Sequence, residues 1–171
     1  DIGVTGVQTC ALPICFLQGS SVRISLFCIQ KNAAEFAPLN EKFAKLVSNY
    51  AKLEQLCVFN AKINAAQKQG RLAAQQSYAE HLKPYKKGFC VVLDEGGKEF
   101  TSVEFANLLK DKGEISFFIG GAFGFDKGFL SEFDLVLSLS KLTLAHQMAK
   151  ILLLEQLYRG FCILHKHPYH K

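Results

Sequence analysis

The chain has 171 residues, a formal net charge of +5, and a composition that is 49% hydrophobic and 20% charged, which predicts one α/β-sized domain with a single core. Only four prolines occur and no tract of like charges, which excludes disordered, collagen-like and low-complexity proteins. No apolar stretch reaches the ~20 residues that a membrane span needs, and we therefore expect a soluble protein.

The first twenty residues are predicted to be a non-native extension of the domain. They begin without methionine and show neither helical nor strand periodicity. The segment DIGVTGVQTCALPIC resembles translated adapter sequence. A cleaved signal peptide is the less favoured alternative, because the segment lacks a basic start. We expect residues 21–171 to form the domain.

The six cysteines favour a reducing compartment. No Cys-x-x-Cys pair marks a zinc site or a thiol redox site. Four cysteines lie in apolar runs, where a reduced thiol behaves as a small buried hydrophobic side chain, and these are Cys28, Cys57, Cys90 and Cys162. We therefore expect a cytoplasmic protein.

The first half of the domain predicts two strands and two helices. Residues 22–29 form a short apolar run with the β-branched content of a strand. Apolar residues between positions 36 and 50 recur at helical spacing, and residues 55–59 predict a second strand. The polar, alanine-rich stretch at 62–82 is predicted to be one helix.

The second half predicts three further strands and three helices. In chain order they are strand 88–93, a turn at 94–97, a helix opened by a capping box at Thr101 and Glu104, strand 115–119, helix 127–133, strand 135–139 and helix 144–164. Alternating strands and helices are typical of a parallel sheet, because parallel strands need crossovers that helices supply. The fold class predicted is α/β, with a mostly parallel five-stranded sheet and helices on both faces.

Charge is unevenly distributed along the domain. Residues 61–87 contain six basic side chains against one acidic side chain, and residues 141–171 contain five against one. Residues 88–140 contain four basic side chains against nine acidic ones. Clustered basic side chains indicate a polyanionic partner such as RNA, and solvated lysines on helix faces are an equally weighted alternative.

A glycine-rich stretch follows the fourth predicted strand. Glycines at 120, 121 and 124 allow backbone to approach a ligand at the carboxyl edge of the sheet, and a plain tight turn is the alternative. The spacing differs from Gly-x-Gly-x-x-Gly, and position 139 is leucine where a dinucleotide site needs an acid. A dinucleotide site is therefore not predicted.

The fifth strand and the C-terminal tail contain further polar residues. Alternating hydroxyl side chains at 137–143 lead to His146, a mixture that suits an adenosine pocket, and helix capping is the alternative. The tail histidines do not predict a metal site, because their spacing is irregular and Pro168 lies between two of them.

Five motifs, in this order, resemble the RlmH family. They are Leu93-Asp94-x-x-Gly97, Ile119-Gly-Gly-x-x-Gly124, Leu137-Ser-Leu-Ser-x-x-Thr143-x-x-His146, Leu154-Glu-Gln-x-Tyr-Arg159 and His167-Pro-Tyr-His170. These small SPOUT-class methyltransferases use S-adenosyl-L-methionine to methylate N3 of a pseudouridine in bacterial 23S ribosomal RNA. The resemblance implies the same methyltransferase activity for this chain. It also implies a C-terminal trefoil knot and a homodimer packed through the C-terminal helix. We expect so small an enzyme of this type to act on the assembled ribosome, and the uneven charge makes residues 61–87 the candidate footprint.

The resemblance also implies which residues form the site. The family's cofactor contacts fall on Leu93, Gly120, Leu139, Ser140, Lys141, Leu142, Thr143 and Leu144. The family's acceptor positions fall on His146, Arg159, Tyr169 and His170. By this resemblance Arg159 orients the base or a phosphate, and His170 or Tyr169 assists removal of the N3 proton.

Alternatives remain for these residues and for the function. Arg159 is at i+4 from Glu155, so a helix-end salt bridge is its structural alternative, and for His146 the alternative is helix capping. The alternative function is a non-enzymatic RNA-binding or ribosome-binding module.

Overall fold

The computed structural model describes residues 22–31 and 33–171, and the predicted extension at 1–20 lies outside the described residues. The strands are β1 Arg23–Ile29, β2 Lys52–Val58, β3 Phe89–Glu99, β4 Glu114–Ile119 and β5 Leu135–Ser138. The α-helices are α1 Ala37–Ser48, α2 Ala61–Gln69, α3 Arg71–Leu82, α4 Ser102–Leu109, α5 Lys127–Leu130 and α6 His146–Leu164. Short 3₁₀ turns at Ala34–Phe36 and Lys83–Tyr85 precede α1 and follow α3.

The five strands form one sheet in the order β2-β1-β4-β3-β5, and every pair of neighbours is parallel. The predicted α/β class and five-stranded sheet are confirmed. Successive side chains alternate between the faces, so that Phe117 packs into one core and Phe118 into the other. One core lies against α1, α4 and α6, and the other lies against α2, α3 and α5. Burial on both faces explains why the strands are apolar runs.

The prediction of a single helix over 62–82 is wrong. The chain forms α2 and α3, which are separated by Gly70 at φ 120° and ψ −176°. L side chains rarely adopt this conformation, and glycine tolerates it because it has no Cβ. The Asn60 side chain caps α2, since its Oδ1 accepts a hydrogen bond from the backbone N–H of Ile63 at 3.0 Å.

The prediction that a turn at 94–97 ends the third strand is also wrong. Strand β3 continues to Glu99, because Leu93 and Lys98 both pair with Leu137 while the residues between them bulge out of the ladder. A Cβ on Gly97 would lie 2.7 Å from the carbonyl oxygen of Val136, so only glycine fits at this position. The bulge places Asp94 and Glu95 over the carboxyl edge of the sheet.

The remaining predicted elements occur with shifted ends. The capping box is confirmed, because the Thr101 hydroxyl accepts from the Glu104 N–H at 3.2 Å and the Glu104 carboxylate accepts from the Thr101 N–H at 2.7 Å. Helix α5 has four residues and is shorter than predicted. The C-terminal helix begins at His146, two residues after the predicted start.

Helix α6 is buried by its own chain. Its apolar side chains pack against the sheet, α1 and α4, and Leu153, Leu154 and Leu157 are fully buried there. Within the described ranges, no helix is both long and apolar enough to cross a membrane. The trefoil knot stays a prediction.

Candidate active site

A cavity of about 520 Å³ lies at the carboxyl ends of β3, β4 and β5. Ligands bind at this edge of parallel sheets because the loops that leave the strands diverge there. The volume is within the range of about 300–1,000 Å³ that is typical of small-molecule sites. Three loops, the start of α3 and the first turns of α6 form its walls, and the lining residues are 71, 93–95, 120–125, 137, 139, 140, 142–146 and 149.

Seven of the eight predicted cofactor residues line this cavity. They are Leu93, Gly120, Leu139, Ser140, Leu142, Thr143 and Leu144. The eighth, Lys141, does not line it, because its side chain is exposed and forms an ion pair with Glu99 at 3.8 Å. The fold therefore brings together three segments of the chain that the sequence separates by 27 and 19 residues, from Leu93 to Gly120 and from Gly120 to Leu139.

The glycine loop combines structural and lining roles. A Cβ on Gly121 would lie 2.7 Å from the Tyr78 hydroxyl oxygen, and Gly124 has φ 61°, so both positions require glycine for the turn itself. At Gly120 an added Cβ would meet Phe125 Cε2 at 3.2 Å and Gly124 Cα at 3.3 Å. Gly121 and Gly124 therefore have a structural role in the turn, and all three glycines also line the cavity.

The hydroxyl side chains after β5 shape the loop over the cavity. Ser138 donates to the carbonyl oxygen of Ser140 at 2.9 Å, and the Ser140 hydroxyl accepts from the N–H of Leu142 at 3.0 Å. Thr143 donates to the Glu95 carboxylate at 2.5 Å, which ties this loop to the bulge in β3. These contacts hold Leu142 at the surface with 73% of its area exposed, at the mouth of the cavity.

His146 is the predicted acceptor residue that lines the cavity. Burial lowers the pKa of this imidazole below the ordinary value of 6.5, and its place at the first turn of α6 also disfavours a positive charge. The imidazole is therefore neutral at pH 7 and has a nitrogen that accepts a proton. Helix α6 begins after Ala145 without a side-chain cap, so the hydroxyls of 137–143 do not cap it.

Arg159 and Tyr169 form a separate cluster around Glu155. The Arg159 guanidinium donates to Glu155 Oε1 from Nη2 at 2.6 Å and from Nε at 3.1 Å, and this ion pair raises the pKa of Arg159. The Tyr169 hydroxyl donates to the same oxygen at 3.0 Å, and its ring lies 4.7 Å from Arg159 Cζ. The predicted salt-bridge alternative for Arg159 therefore occurs.

This cluster docks the C-terminal tail on α6. The Tyr169 ring also packs on Tyr158 with 4.7 Å between ring centroids. Burial and the hydrogen bond to Glu155 raise the pKa of the Tyr169 phenol, so that it stays protonated at neutral pH. His170 follows it in an exposed part of the tail.

The acceptor residues lie at two ends of α6 within one chain. Neither Arg159, Tyr169 nor His170 is among the cavity-lining residues. Arg159 follows His146 on the same helix by a distance of about 20 Å along the axis, at 1.5 Å per residue. One chain therefore does not bring the four predicted acceptor residues to one place.

Sequence reasoning missed Arg71 and the acidic residues at the mouth. Arg71, at the start of α3, lines the cavity together with Asp94 and Glu95. The basic excess at 61–87 was the available signal for Arg71, but nothing in the sequence placed it beside the glycine loop. Among the described residues, no group of three or more His, Cys, Asp or Glu side chains is arranged to hold a metal ion.

Comparison with known proteins gives the family context. A family model described as "Predicted SPOUT methyltransferase" matches residues 22–170. The chain is 54% identical over 151 residues to a Campylobacter lari protein named "Ribosomal RNA large subunit methyltransferase H", covering 88% of this chain and 100% of that one. A Campylobacter jejuni protein of the same name is 55% identical over 152 residues, covering 89% and 99%.

More distant relatives agree with these matches. An Aliarcobacter butzleri protein of that name is 41% identical over 151 residues, covering 88% of this chain and 100% of its own. Among solved structures, a probable methylase family protein from Haemophilus influenzae superposes with a TM-score of 0.54 at 15% identity, covering 88% of this chain and 71% of that one. At that identity the structural likeness supports the fold alone.

Proposed function

Because the chain belongs to the SPOUT methyltransferase family, we propose that it transfers a methyl group from S-adenosyl-L-methionine to N3 of a pseudouridine in bacterial 23S ribosomal RNA on the assembled ribosome. The observation that carries this proposal is the cavity lined by seven of the eight cofactor positions that the resemblance implies. The names of the curated relatives support large-subunit rRNA as the substrate. Membership of a methyltransferase family does not favour the non-enzymatic binding module.

The cavity fits the methyl donor by its volume and by the chemistry of its walls. Leu93, Leu139 and Leu142 supply apolar walls, Gly120 leaves room for a close approach, and Ser140 and Thr143 bring polar groups near. When bound, S-adenosyl-L-methionine supplies an electrophilic methyl group on a sulfonium whose positive charge disappears on transfer, which a weakly solvated site favours. These residues would hold and orient the donor.

His146 is the residue we assign to proton removal. N3 of a pseudouridine is an imide nitrogen that must lose its proton before its lone pair attacks a methyl group. A neutral imidazole that lines the cavity is able to accept this proton, and burial keeps His146 neutral. Tyr169 is less suited to the role, because its raised pKa keeps the phenol protonated.

A homodimer would bring the two ends of α6 into one site. In a two-fold dimer that packs C-terminal helices antiparallel, the Arg159 end of one helix lies beside the His146 end of its partner. Arg159 would then orient the base or a phosphate from across the interface. Leu153, Leu154 and Leu157 of α6 are buried within one chain, so these apolar side chains give no support for a dimer. The separation of His146 from Arg159 along α6 supports the dimer instead.

Basic residues near the cavity support an RNA substrate. Arg71 lines the cavity and begins α3, within the basic region at 61–87. Guanidinium groups bind phosphate by paired hydrogen bonds, so Arg71 is suited to hold the backbone next to the target nucleotide. Action on ribosomes would place the protein in the cytoplasm.

Calorimetric titration and a methylation assay test the proposal. Titration with S-adenosyl-L-methionine is expected to show saturable binding, and ribosomes from a strain that lacks the modification should accept a labelled methyl group. Mass spectrometry of digested rRNA would identify the nucleotide. A folded protein that binds no S-adenosyl-L-methionine would remove the enzyme proposal. Equal methylation of protein-free rRNA would remove the requirement for an assembled ribosome.

A further inference from the structure

Two cysteines that are distant in the sequence lie side by side in the sheet. Cys28 in β1 and Cys57 in β2 are register partners on neighbouring parallel strands, and their side chains point to the same face. Neighbouring strands are about 4.8 Å apart, which is within the Cα separation of about 4.4–6.8 Å that disulfides span. Both cysteines are free thiols, with Cys28 buried and Cys57 half-buried on the edge strand.

Lys150 and Gln30 surround the sulfur of Cys57. The Lys150 ammonium donates to Cys57 Sγ at 3.4 Å, and the Gln30 amide donates to the same sulfur at 3.7 Å. Lys150 is only 7% exposed, and no carboxylate within the described residues forms an ion pair with it. A buried ammonium needs a compensating anion, and the Cys57 thiolate is the group positioned to supply it.

The two thiols are held in different protonation states. A hydrogen bond from Cys28, together with the charge of Lys150, lowers the pKa of Cys57 to about 5. Cys28 forms a hydrogen bond to Cys57 and is buried, and both effects raise the pKa of Cys28 well above the ordinary thiol value. At neutral pH the cluster is therefore a thiolate beside a neutral thiol. A reactive thiolate next to a second thiol is the arrangement found at redox-sensitive cysteines.

A second cavity adjoins this cluster on the side of α1. It has a volume of about 280 Å³, and both Gln30 and Lys150 line it. Gln30 is 6% exposed, and its Oε1 has no hydrogen-bond partner among the described residues. This acceptor is able to hold the hydroxyl of a small molecule near the sulfur, and a buried oxygen without a partner is rare unless something else binds it.

We propose that Cys57 is a thiol-modification site, at which a peroxide oxidises the sulfur and Cys28 then closes an intramolecular disulfide. The Cys57 thiolate attacks one peroxide oxygen, the O–O bond breaks, and the departing hydroxide takes a proton and leaves as water. The product is a sulfenic acid. The Cys28 sulfur then attacks Cys57, the S–O bond breaks, and the hydroxyl leaves as a second water with the Cys28 proton. One peroxide therefore oxidises two thiols.

Oxidation is expected to affect the cofactor cavity, and this part rests on the proposed function. A disulfide removes the negative charge that compensates Lys150. Ala149 and His146 line the cofactor cavity, and Lys150 follows Ala149 and is one helical turn from His146. An uncompensated buried ammonium disfavours the present position of the first turns of α6. The oxidised protein should bind S-adenosyl-L-methionine at least tenfold more weakly.

Alkylation of the full-length protein across a pH series tests the thiolate. Iodoacetamide is applied to the reduced chain between pH 4 and pH 9, and peptide mass mapping gives the rate at each cysteine. We expect half-maximal reactivity of Cys57 at pH of about 5. Cys90 is the internal comparator, since burial raises its pKa. The variant Lys150→Met should move the Cys57 midpoint upward, whereas the matched variant Lys52→Met on the exposed side of β2 should not.

Peroxide treatment tests the second step. A stoichiometric amount of hydrogen peroxide is expected to join the Cys28 and Cys57 peptides in the unreduced digest. In Cys28→Ala, the sulfenic acid on Cys57 should persist and be trapped by dimedone. A Cys57 midpoint near the ordinary thiol value of 9.0 in the wild-type protein, or peroxide consumption that leaves Cys57 a free thiol, overturns the proposal. These wild-type measurements do not depend on whether Cys28→Ala folds.

Titration of reduced and oxidised protein with S-adenosyl-L-methionine tests the coupling to the cavity. Equal affinities would overturn the coupling. A reduced protein that does not bind would contradict the proposed function, and in that case the peptide maps still decide the thiol chemistry. The two failures are therefore distinguishable.

Discussion

At the scale of single residues, the candidate site depends on a few positions whose chemistry is set by their surroundings. His146 is neutral because it is half-buried at a helix N-terminus, and partial burial and the hydrogen bond to Glu155 raise the pKa of Tyr169, so its phenol is protonated. Gly120 leaves space at the end of β4 where any side chain would approach Phe125. For each of these residues, a substitution distinguishes a role in binding or catalysis from a role in folding.

Replacing Gly120 with alanine should weaken cofactor binding by at least tenfold, which is about 1.4 kcal/mol. The added methyl group would lie 3.2 Å from Phe125 Cε2 and 3.3 Å from Gly124 Cα, both in cavity-lining residues, so a small shift of this wall allows the fold to persist but disturbs the cavity. Calorimetry gives the affinity and a thermal melt monitors folding. Gly113→Ala is the matched control, because a Cβ there meets nothing within 4 Å. Unchanged affinity in Gly120→Ala would make this glycine structural only.

Replacing His146 with glutamine should lower the methyl-transfer rate by about 10²–10⁴, the usual contribution of a general base, and leave cofactor affinity within threefold. In the wild-type enzyme only the neutral imidazole accepts the proton. The rate should therefore fall as pH drops through a pKa below 6.5, because burial lowers the pKa of His146. Single-turnover rates across pH give the profile. A variant that keeps the wild-type profile would exclude His146 as the base.

At the scale of elements, the sequence correctly predicted the five strands but not how some of the segments between them are formed. Apolar runs identify β1 and β4 because both faces of a parallel strand are buried. The division into α2 and α3 escaped prediction, since a glycine inside a helical pattern is compatible with either a continuous or a broken helix. The bulge at 94–97 escaped because turn residues also occur where a strand loops out and rejoins its ladder.

In the candidate site, too, residues within one motif were predictable from the sequence, whereas contacts between distant segments were not. Motif order and resemblance indicated seven cavity-lining positions, since those residues belong to three contiguous motifs. The proximity of Arg71 to the cavity, and of Cys28 to Cys57, depends on strand order and helix packing. No spacing along the chain contains that information.

Substituting Gly70 with alanine tests the break between α2 and α3. The backbone there has φ 120° and ψ −176°, which is strained for any residue with a Cβ, at a cost of about 1–3 kcal/mol. Space is not the cause, because a Cβ on Gly70 would meet nothing within 4 Å. Urea unfolding should show the loss, and Gln69→Ala should show little change. Equal stability of the two variants would mean that the helices join without strain.

At the scale of the whole molecule, the parallel sheet places the cavity at one edge, and α6 separates His146 from the other predicted acceptor residues. All five strands end on the same side, so the loops after β3, β4 and β5 converge on one cavity. Helix α6 leaves this edge at His146 and ends at the Arg159 and Tyr169 cluster. The two ends meet only if a second chain packs against the first.

Deleting residues 168–171 should stop methyl transfer while cofactor affinity stays within threefold. The tail does not line the cavity, and its loss removes two hydrogen bonds of Tyr169, to Glu155 and to His167, together with the ring contacts of Tyr169 to Tyr158 and Arg159. The measurement compares the methyl-transfer rates of the wild-type and truncated enzymes on ribosomes at saturating cofactor. A truncated enzyme that retains more than about a tenth of the wild-type rate, a change under ~1.4 kcal/mol, would exclude Tyr169 and His170 from catalysis.

Heterodimers of two inactive variants test whether each site is shared between chains. One chain has His146→Gln and an intact tail, and the other has His146 and lacks residues 168–171. If a site takes His146 from one chain and the tail from its partner, a doubly tagged heterodimer has one intact site of two and should work at about half the wild-type rate. If both groups come from one chain, every site in the heterodimer lacks a component and the activity stays at the level of the parent variants. Sedimentation of each preparation confirms that the heterodimer is the species assayed, and a monomeric wild-type protein with full activity would contradict the shared site directly.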